Sequence, residues 1–171
     1  WVSTSAPGWT STATGTVTFT MYEYGLHRWL YHGRRTAVAT LHTRHHRDPD
    51  VLVGAPFYFS LGVTALNWLP AAWLVDRAFA SVFAGMILYC YAQQSVIHHV
   101  AHNWPLTSGL GARSALRRHH LLHHHTGGGN FGISTRFWDH VFGTVVTPKA
   151  RWRVQAAVTP GECQGLRGPP R

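Results

Sequence analysis

The chain of 171 residues carries 14 histidines against only 6 acidic residues, and its formal net charge is +9 at pH 7. Charged residues make up 12% of it, about half the share of an ordinary soluble domain, whereas hydrophobic residues make up 45%, with 8 Trp, 8 Phe and 6 Tyr. This composition favours a membrane protein, and it argues against nucleic-acid binding because the basic residues flank apolar segments and histidines.

The two ends of the chain have the composition of irregular segments. Residues 1–15 are rich in Ser, Thr, Gly and Ala, which predicts a loop or a truncated lead-in. The first residue is Trp1 and no signal-peptide pattern follows it, so we expect a fragment that has lost upstream sequence. Residues 16–147 form the predicted main domain, and the basic, Gly- and Pro-rich residues 148–171 are predicted to be a flexible tail.

The first histidines in the chain have two different spacings. His27 and His32 are five residues apart, which places them about 140° apart on an ideal helix. They can line one cavity only through a helix distortion or from a helix end. In the motif LHTRHH, by contrast, His42, His45 and His46 stand at i, i+3 and i+4, and these positions share one helix face.

Two long apolar runs follow, and they predict a transmembrane helical hairpin at about residues 52–97. Each run is long enough to cross a hydrocarbon layer of about 30 Å at about 1.5 Å per residue, and Asp76 and Arg77 form the polar break between them. Pro56 and Pro70 are expected to bend the first span. A hairpin buried inside a soluble protein is the alternative interpretation.

The predicted hairpin returns the chain to the side of the membrane that it left, so the histidines before and after it face the same compartment. Arginines cluster on that side, which the positive-inside rule makes the cytosolic side. These arginines are Arg28, Arg34, Arg35, Arg44, Arg47, Arg113, Arg117 and Arg118.

Two more histidine clusters follow the hairpin. His98 and His102 are one helical turn apart, and the RRHHLLHHH stretch places His120, His123 and His124 at i, i+3 and i+4 again. The TGGGN sequence that comes next predicts a flexible turn.

Ten histidines in four clusters therefore become candidate metal ligands. They are His27, His32, His42, His45, His46, His98, His102, His120, His123 and His124. Ten neutral imidazoles are too many for one ion and suit two ions with four or five ligands each. A structural zinc site needs only four ligands, so a redox-active pair is favoured, although imidazole alone leaves zinc, iron, copper and nickel open. The remaining histidines, His99, His119, His125 and His140, are interpreted as supporting or surface groups.

Five motifs in this order resemble the fatty acid hydroxylase superfamily, which also holds sterol desaturases and methyl oxidases. The motifs are EYGLHRWLYH, LHTRHH, HHVAH, HHLLHH and NFGISTRFWDHVFGT, and they run from about Glu23 to Thr144. The sequence is most similar to fatty acid 2-hydroxylases that act on sphingolipid acyl chains. It departs from the usual pattern at Asn103, where many members have a further histidine, and at Ser95, where an acidic residue is common.

The resemblance implies an all-α, integral membrane protein with a transmembrane hairpin and a cytosolic, histidine-rich helical cap. It also implies two iron ions held by the ten histidines, with zinc as the alternative occupant, and O2 as co-substrate. The expected activity is hydroxylation of a fatty acid or sphingolipid acyl chain, in a bacterial cytoplasmic membrane or the endoplasmic reticulum. The two electrons would come from a separate donor of cytochrome b or ferredoxin type. The alternatives are a sterol or carotenoid desaturase or hydroxylase of the same superfamily, and a non-catalytic metal-binding membrane fragment.

Several further side chains receive hypothetical roles. Asp139 and Glu23 are candidate acceptors that orient the histidine rings, because metal-bound imidazoles usually donate their second N–H to an acceptor. A helix-cap or surface role is the alternative for Asp139. The aromatic residues proposed to line the floor of the acyl site are Phe131, Trp138 and Phe142, and plain aromatic packing under the cap is the alternative. The basic residues proposed to receive an acidic electron carrier are Arg113, Arg117 and Arg118, and plain membrane anchoring is the alternative.

Overall fold

Six α-helices and one π-helix make up the part of the protein that the structure describes, and this part contains no strand. The computed structural model describes residues 8–33, 35–49, 57–103 and 111–147. The elements are α1 (Gly8–Gly25), the π-helix (Leu26–Tyr31), α2 (Ala37–Arg47), α3 (Phe57–Leu74), α4 (Arg77–Asn103), α5 (Gly111–Thr126) and α6 (Phe137–Val141). The predicted all-α fold class is confirmed.

Helix α1 begins at Gly8, where the composition of residues 1–15 had predicted a loop. Its small residues are explained by packing rather than by turn formation. A Cβ added to Gly15 would lie 2.8 Å from the Cβ of Met86 and 2.8 Å from the carbonyl oxygen of Phe83, both on α4. Small residues allow two helix backbones to approach closely, as they do in membrane helix pairs.

Helices α3 and α4 pack together as an antiparallel hairpin joined by only two residues. Asp76 begins α4 by accepting a hydrogen bond from the backbone N–H of Phe79 at 2.7 Å. Among the described residues, one helix, Arg77–Asn103, is long and apolar enough to cross a membrane. The first predicted span begins in residues that lie outside the described part. Pro56, residues 1–7 and the predicted tail at 148–171 lie outside it as well.

The apolar core lies between α1 and α4. It consists of Phe19 from α1 with Phe83 and Ile87 from α4, and Ala71 of α3 packs against it. Cys90 is partly buried beside the same cluster. This core fixes the orientation of α4 and therefore of the histidines at its C-terminal end.

The histidine-bearing helices α2 and α5 are anchored by polar contacts. The side chain of Thr36 caps α2 by accepting from the N–H of Ala39 at 3.1 Å. Asp48 is the C-cap residue of α2, and its backbone N–H donates to the carbonyl oxygen of Arg44 at 2.9 Å. The buried Arg117 of α5 donates to the carbonyl oxygen of Ala101 on α4 at 2.9 Å. Helix α2 packs against the π-helix, and α5 packs against α4.

Candidate metal centre

The π-helix brings His27 and His32 together in spite of their five-residue separation. A π-helix closes its turns with hydrogen bonds from residue i to i+5, so residues five apart lie on the same side. The two ring centroids are 5.2 Å apart. The distortion that the spacing required is therefore present, directly between α1 and the turn at Gly33.

The ten candidate histidines form two compact groups of five, and the ligand atoms within each group lie within 4.8 Å of one another. We call them the first and the second histidine group. The first group contains His27, His32, His42, His46 and His123. The second group contains His45, His98, His102, His120 and His124.

Each HxxHH helix divides its histidines between the groups. On α2 the i, i+4 pair His42 and His46 joins the first group, whereas His45 crosses to the second. On α5 the i, i+4 pair of the motif joins the second group, and His123 crosses to the first. Sequence spacing predicts a shared face for all three histidines of a motif, but it does not predict this exchange.

The nitrogen contacts within the first group cannot all be hydrogen bonds. The Nε2 atom of His42 lies 3.1 Å from that of His27, 2.9 Å from that of His32 and 3.0 Å from that of His46. One Nε2 carries at most one hydrogen. Nitrogens bound at about 2.1 Å to a common cation are about 3.0 to 3.4 Å apart, so the spacing fits coordination.

The second group contains equally close nitrogens and also buried nitrogens without a partner. His45 and His98 approach through their Nε2 atoms at 2.9 Å, and His102 and His120 at 3.0 Å. Nδ1 of His120 and both ring nitrogens of His124 are buried and have no hydrogen-bond partner. A buried polar atom without a partner costs about 1–3 kcal/mol, and a bound cation would remove part of that cost.

Burial keeps the imidazoles neutral, which metal binding requires. It lowers the pKa of His42 to about 2, with neighbouring histidines as the next cause. It lowers the pKa of His46 to about 4 and that of His123 to about 3. The pKa values of His27 and His120 lie well below the usual range for the same reason. At neutral pH these rings carry lone pairs rather than charge.

Residues 129–134, which we call the 129–134 loop, contact the first group through backbone carbonyls. Nδ1 of His27 donates to the carbonyl oxygen of Phe131 at 2.5 Å, and Nδ1 of His123 donates to that of Gly129 at 2.7 Å. These bonds place the lone pair of each ring on Nε2, which faces the group. The predicted flexible turn is therefore hydrogen-bonded and buried at Gly129 and Asn130.

Asp139 and Glu23 hold this loop through hydrogen bonds to its backbone N–H groups rather than through hydrogen bonds to the ten histidines. The fully buried Asp139 accepts hydrogen bonds from the N–H groups of Phe131 and Gly132, each at 2.8 Å. Glu23 accepts from the N–H groups of Ile133 and Ser134 and from the Ser134 hydroxyl. Burial raises the pKa of Glu23 to about 7. The two carboxyl groups thus reach the histidines indirectly, through the loop.

The four histidines outside the clusters lie in different surroundings. His119 is buried, and its Nε2 lies 2.9 Å from Oδ2 of Asp139. His99 lies beside Asn103 on α4, and His125 and His140 are exposed. The interpretation of this set as supporting or surface groups agrees with these positions, and His119 is its supporting member.

The three aromatic residues assigned to an acyl-site floor lie near one another, because Trp138 stacks on Phe142 with centroids 6.2 Å apart and Tyr24 contacts both Phe131 and Phe142. Phe131 packs against the rings of His27 and His123, whereas Phe142 stacks on Tyr24 with centroids 5.2 Å apart. Phe142 also lines an open apolar recess of about 530 Å³, which is formed by Met21, Tyr22, Tyr24, Gly25, Leu26, Trp29, Leu30 and Phe142. None of the ten histidines lines this recess.

The proposed docking arginines differ in exposure. Arg118 is exposed, but Arg117 is buried and engaged with Ala101, so its guanidinium does not belong to a docking surface. Sequence reasoning misassigned it because two adjacent arginines on a helix point in different directions. It also missed the carbonyls of Gly129 and Phe131, although the Gly-rich run beside the motif signalled a close backbone approach.

Comparison with known proteins connects this geometry to enzymes of lipid metabolism. The chain is 32% identical over 153 residues to the dihydroceramide fatty acyl 2-hydroxylase FAH2 of Arabidopsis thaliana, covering 81% of this chain and 61% of that protein. It is 34% identical to the ceramide very long chain fatty acid hydroxylase SCS7 of Saccharomyces cerevisiae, covering 80% and 38%. It is 30% identical to the human fatty acid 2-hydroxylase, covering 82% and 41%. The chain thus spans less than two thirds of the length of these relatives.

A solved structure and a family model give the same result. The structure of full-length scs7p, in which only the hydroxylase domain is visible, superposes with a TM-score of 0.65 and 26% identity, over 84% of this chain and 58% of that chain. The family model described as fatty acid hydroxylase matches residues 12–144. This range includes both histidine groups and the 129–134 loop. The chain therefore belongs to the fatty acid hydroxylase family.

Proposed function

We propose that this protein is a membrane-bound, di-iron lipid hydroxylase whose two cations are held by the two histidine groups. The observation that carries the proposal is the pair of five-histidine groups in a chain of the fatty acid hydroxylase family. The net reaction converts an acyl C–H bond, O2, two electrons and two protons into C–OH and water. The two electrons come from a separate donor.

The donor set fits two first-row cations. All ligating atoms are imidazole nitrogens, no thiolate belongs to either group, and the close nitrogen contacts match ligands around a common ion. When bound, a pair of irons supplies the O2-activating chemistry that an imidazole base alone cannot provide. The protein's own residues orient the rings and keep them neutral, so that protons do not compete with the cations for the ring lone pairs. Zinc is the alternative occupant in a protein isolated without iron.

The names of the relatives favour an acyl-chain substrate. Those relatives are named as 2-hydroxylases of fatty acids or of dihydroceramide acyl groups, and one as a hydroxylase of ceramide very long chain fatty acids. We therefore assign a fatty acid or sphingolipid acyl chain to this protein. A sterol or carotenoid substrate is the second choice, because the same metal chemistry would serve it.

The surface of the hairpin supports membrane insertion. Leu66, Leu69 and Trp73 of α3 are 73%, 60% and 84% exposed. Only 22% of the most apolar stretch of α4 is buried, unlike the core helix of a soluble protein. Large exposed apolar surfaces are rare on soluble monomers. We place the hairpin in the bilayer and the histidine groups on its cytosolic side, where exposed arginines such as Arg44 and Arg118 also lie.

The electron donor is proposed to be a cytochrome b-type or ferredoxin-type protein that docks on the cytosolic face. Exposed arginines at the ends of α2 and within α5 would attract an acidic carrier at low ionic strength. Docking should therefore weaken as salt concentration rises.

The proposal is tested by lipid profiling of cells that express the chain, with metal analysis of the purified protein. We expect the lipid profile to show acyl chains that have gained one oxygen atom. We expect metal analysis to give two equivalents of metal per protein chain. His42→Ala removes the nitrogen at the centre of the first group and should lower hydroxylated product by at least the roughly 10- to 100-fold that is typical when a residue supporting a metal ligand is lost. His140→Ala, which changes an exposed histidine outside both groups, is the matched control.

Three other results would contradict the proposal. Acyl chains that lose two hydrogens would indicate a desaturase. An oxidised sterol or carotenoid would show that the substrate is not an acyl chain. Stoichiometric metal with no change in any lipid would indicate a non-catalytic metal-binding protein.

A further inference from the structure

Among the described residues, the two histidine groups differ in the Nδ1 contacts of two buried rings each. In the first group, His27 and His123 donate through Nδ1 to loop carbonyls. In the second group, His120 and His124 keep buried Nδ1 atoms without an acceptor. Acceptors behind a metal-bound histidine fix its tautomer and its ring orientation, and their loss typically costs 10- to 100-fold in metal affinity.

The support of the first group leads back to one buried carboxylate. Asp139 accepts from the N–H of Phe131 through Oδ1 and from the N–H of Gly132 through Oδ2. His119 and the hydroxyl of Thr144 occupy its remaining positions at 2.9 and 2.7 Å. Four donors converge on one fully buried side chain, so its position is determined from all sides.

Asn130 holds the loop beside Gly129, whose carbonyl oxygen is the other acceptor that supports the first group. Its backbone has a positive φ of 59°, and its side chain accepts from the N–H of Val146 at 2.7 Å. Its Nδ2 donates to the carbonyl oxygen of His119 at 3.2 Å. A Cβ at Gly129 would lie 2.5 Å from the carbonyl oxygen of Thr144, so the loop backbone passes close to the segment after α6. The loop is therefore held on both sides of Phe131.

We infer that Asp139 is a positioning residue for the first histidine group only, and that the first group binds its cation more tightly than the second. This inference rests on the proposed two-metal function. A preorganised set of rings loses less conformational freedom on binding than a set whose rings can still turn. The protein consequently has one metal ion that is retained, in the first group, and one that is labile, in the second group.

The experiment measures release of metal from the purified, fully loaded protein during a graded chelator titration. We expect two separated steps, one equivalent each. His120→Ala should remove the labile equivalent and leave the retained one unchanged. Asp139→Asn turns one of the two acceptor oxygens, each of which faces a backbone N–H of the loop, into an N–H donor. It should weaken the retained equivalent about 10- to 100-fold without affecting the labile one.

Asp76→Asn is the matched control, because it makes the same chemical change at the helix cap at the far end of α4. It should alter neither step. If Asp139→Asn does not fold, Thr144→Val removes one of the four donors to Asp139 and should shift the retained step in the same direction by less.

The outcomes separate this inference from the proposed function. Two equivalents released in a single step, or an equal effect of Asp139→Asn on both steps, would overturn the inference while leaving the two-metal function in place. Loss of the retained equivalent in His120→Ala would reverse the assignment. Failure of the wild-type protein to bind two equivalents of metal would contradict the proposed function itself.

Discussion

At the histidine end of the molecule the fully buried side chains are polar, whereas the α3–α4 hairpin exposes large apolar side chains. His120, His123, Asn130 and Asp139 are at most 1% exposed, but Trp73 on α3 is 84% exposed. A buried polar network is stable only when its members find partners. An apolar surface needs only an apolar environment. The two ends should therefore respond differently to the same perturbation.

Metal removal should separate the two ends most strongly. A ligand present at 1,000 times its Kd stabilises the folded state by about 4 kcal/mol, and chelation removes that contribution. Hydrogen exchange should show lost protection in α5 and the 129–134 loop, while the core around Phe83 and Ile87 stays protected. Equal loss of protection at both ends would show that the protein is one cooperative unit and would break the comparison.

A substitution at the helix contact should affect the hairpin end instead. Gly15→Leu places a side chain where even a Cβ would lie 2.8 Å from Met86, so it should destabilise the protein by about 1–3 kcal/mol in a denaturant titration. Metal content per folded chain should not change. Gly62→Ala on α3 is the control, because nothing lies within 4 Å of its Cβ. A larger effect at Gly62 than at Gly15 would contradict the packing argument.

Acid should destabilise the metal-free protein through its histidine end. Folded-state pKa values of about 2 for His42, about 4 for His46 and about 3 for His123 lie below the unfolded value of 6.5. Below pH 6.5 the unfolded chain therefore binds more protons than the folded one, and stability falls as pH falls. The slope approaches about 1.4 kcal/mol per pH unit for each such proton.

Glu23 works in the opposite direction over part of this range. Its pKa is raised from 4.5 to about 7, so the folded state binds an additional proton between these values and gains stability as pH falls. One proton at Glu23 is outweighed by several histidines. Unfolding of the chelated protein followed from pH 7 to pH 4 should show a net loss of stability, and a net gain would mean that the histidines are not buried as described.

The carboxyl groups show where sequence reasoning reached its limit. Asp139 and Glu23 were singled out as partners of the histidine rings, yet both hold the loop whose carbonyls contact His27 and His123. Backbone acceptors have no residue type of their own, so their sequence signal is indirect: the Gly-rich run that allows the backbone to approach closely. Asp139 bonds instead to His119, a histidine that the spacing pattern had left outside the clusters.

The sequence by itself determined the helical class, the ten clustered histidines and the family, because these depend on local spacing and composition. The i, i+4 periodicity of a helix is a local property, and it already pairs His42 with His46 and His98 with His102. The tertiary structure alone decided which histidines cross between the groups, how the π-helix joins His27 to His32, and which carbonyls support the rings. Those features depend on how helices distant in sequence approach one another, and helix periodicity contains no information about that approach.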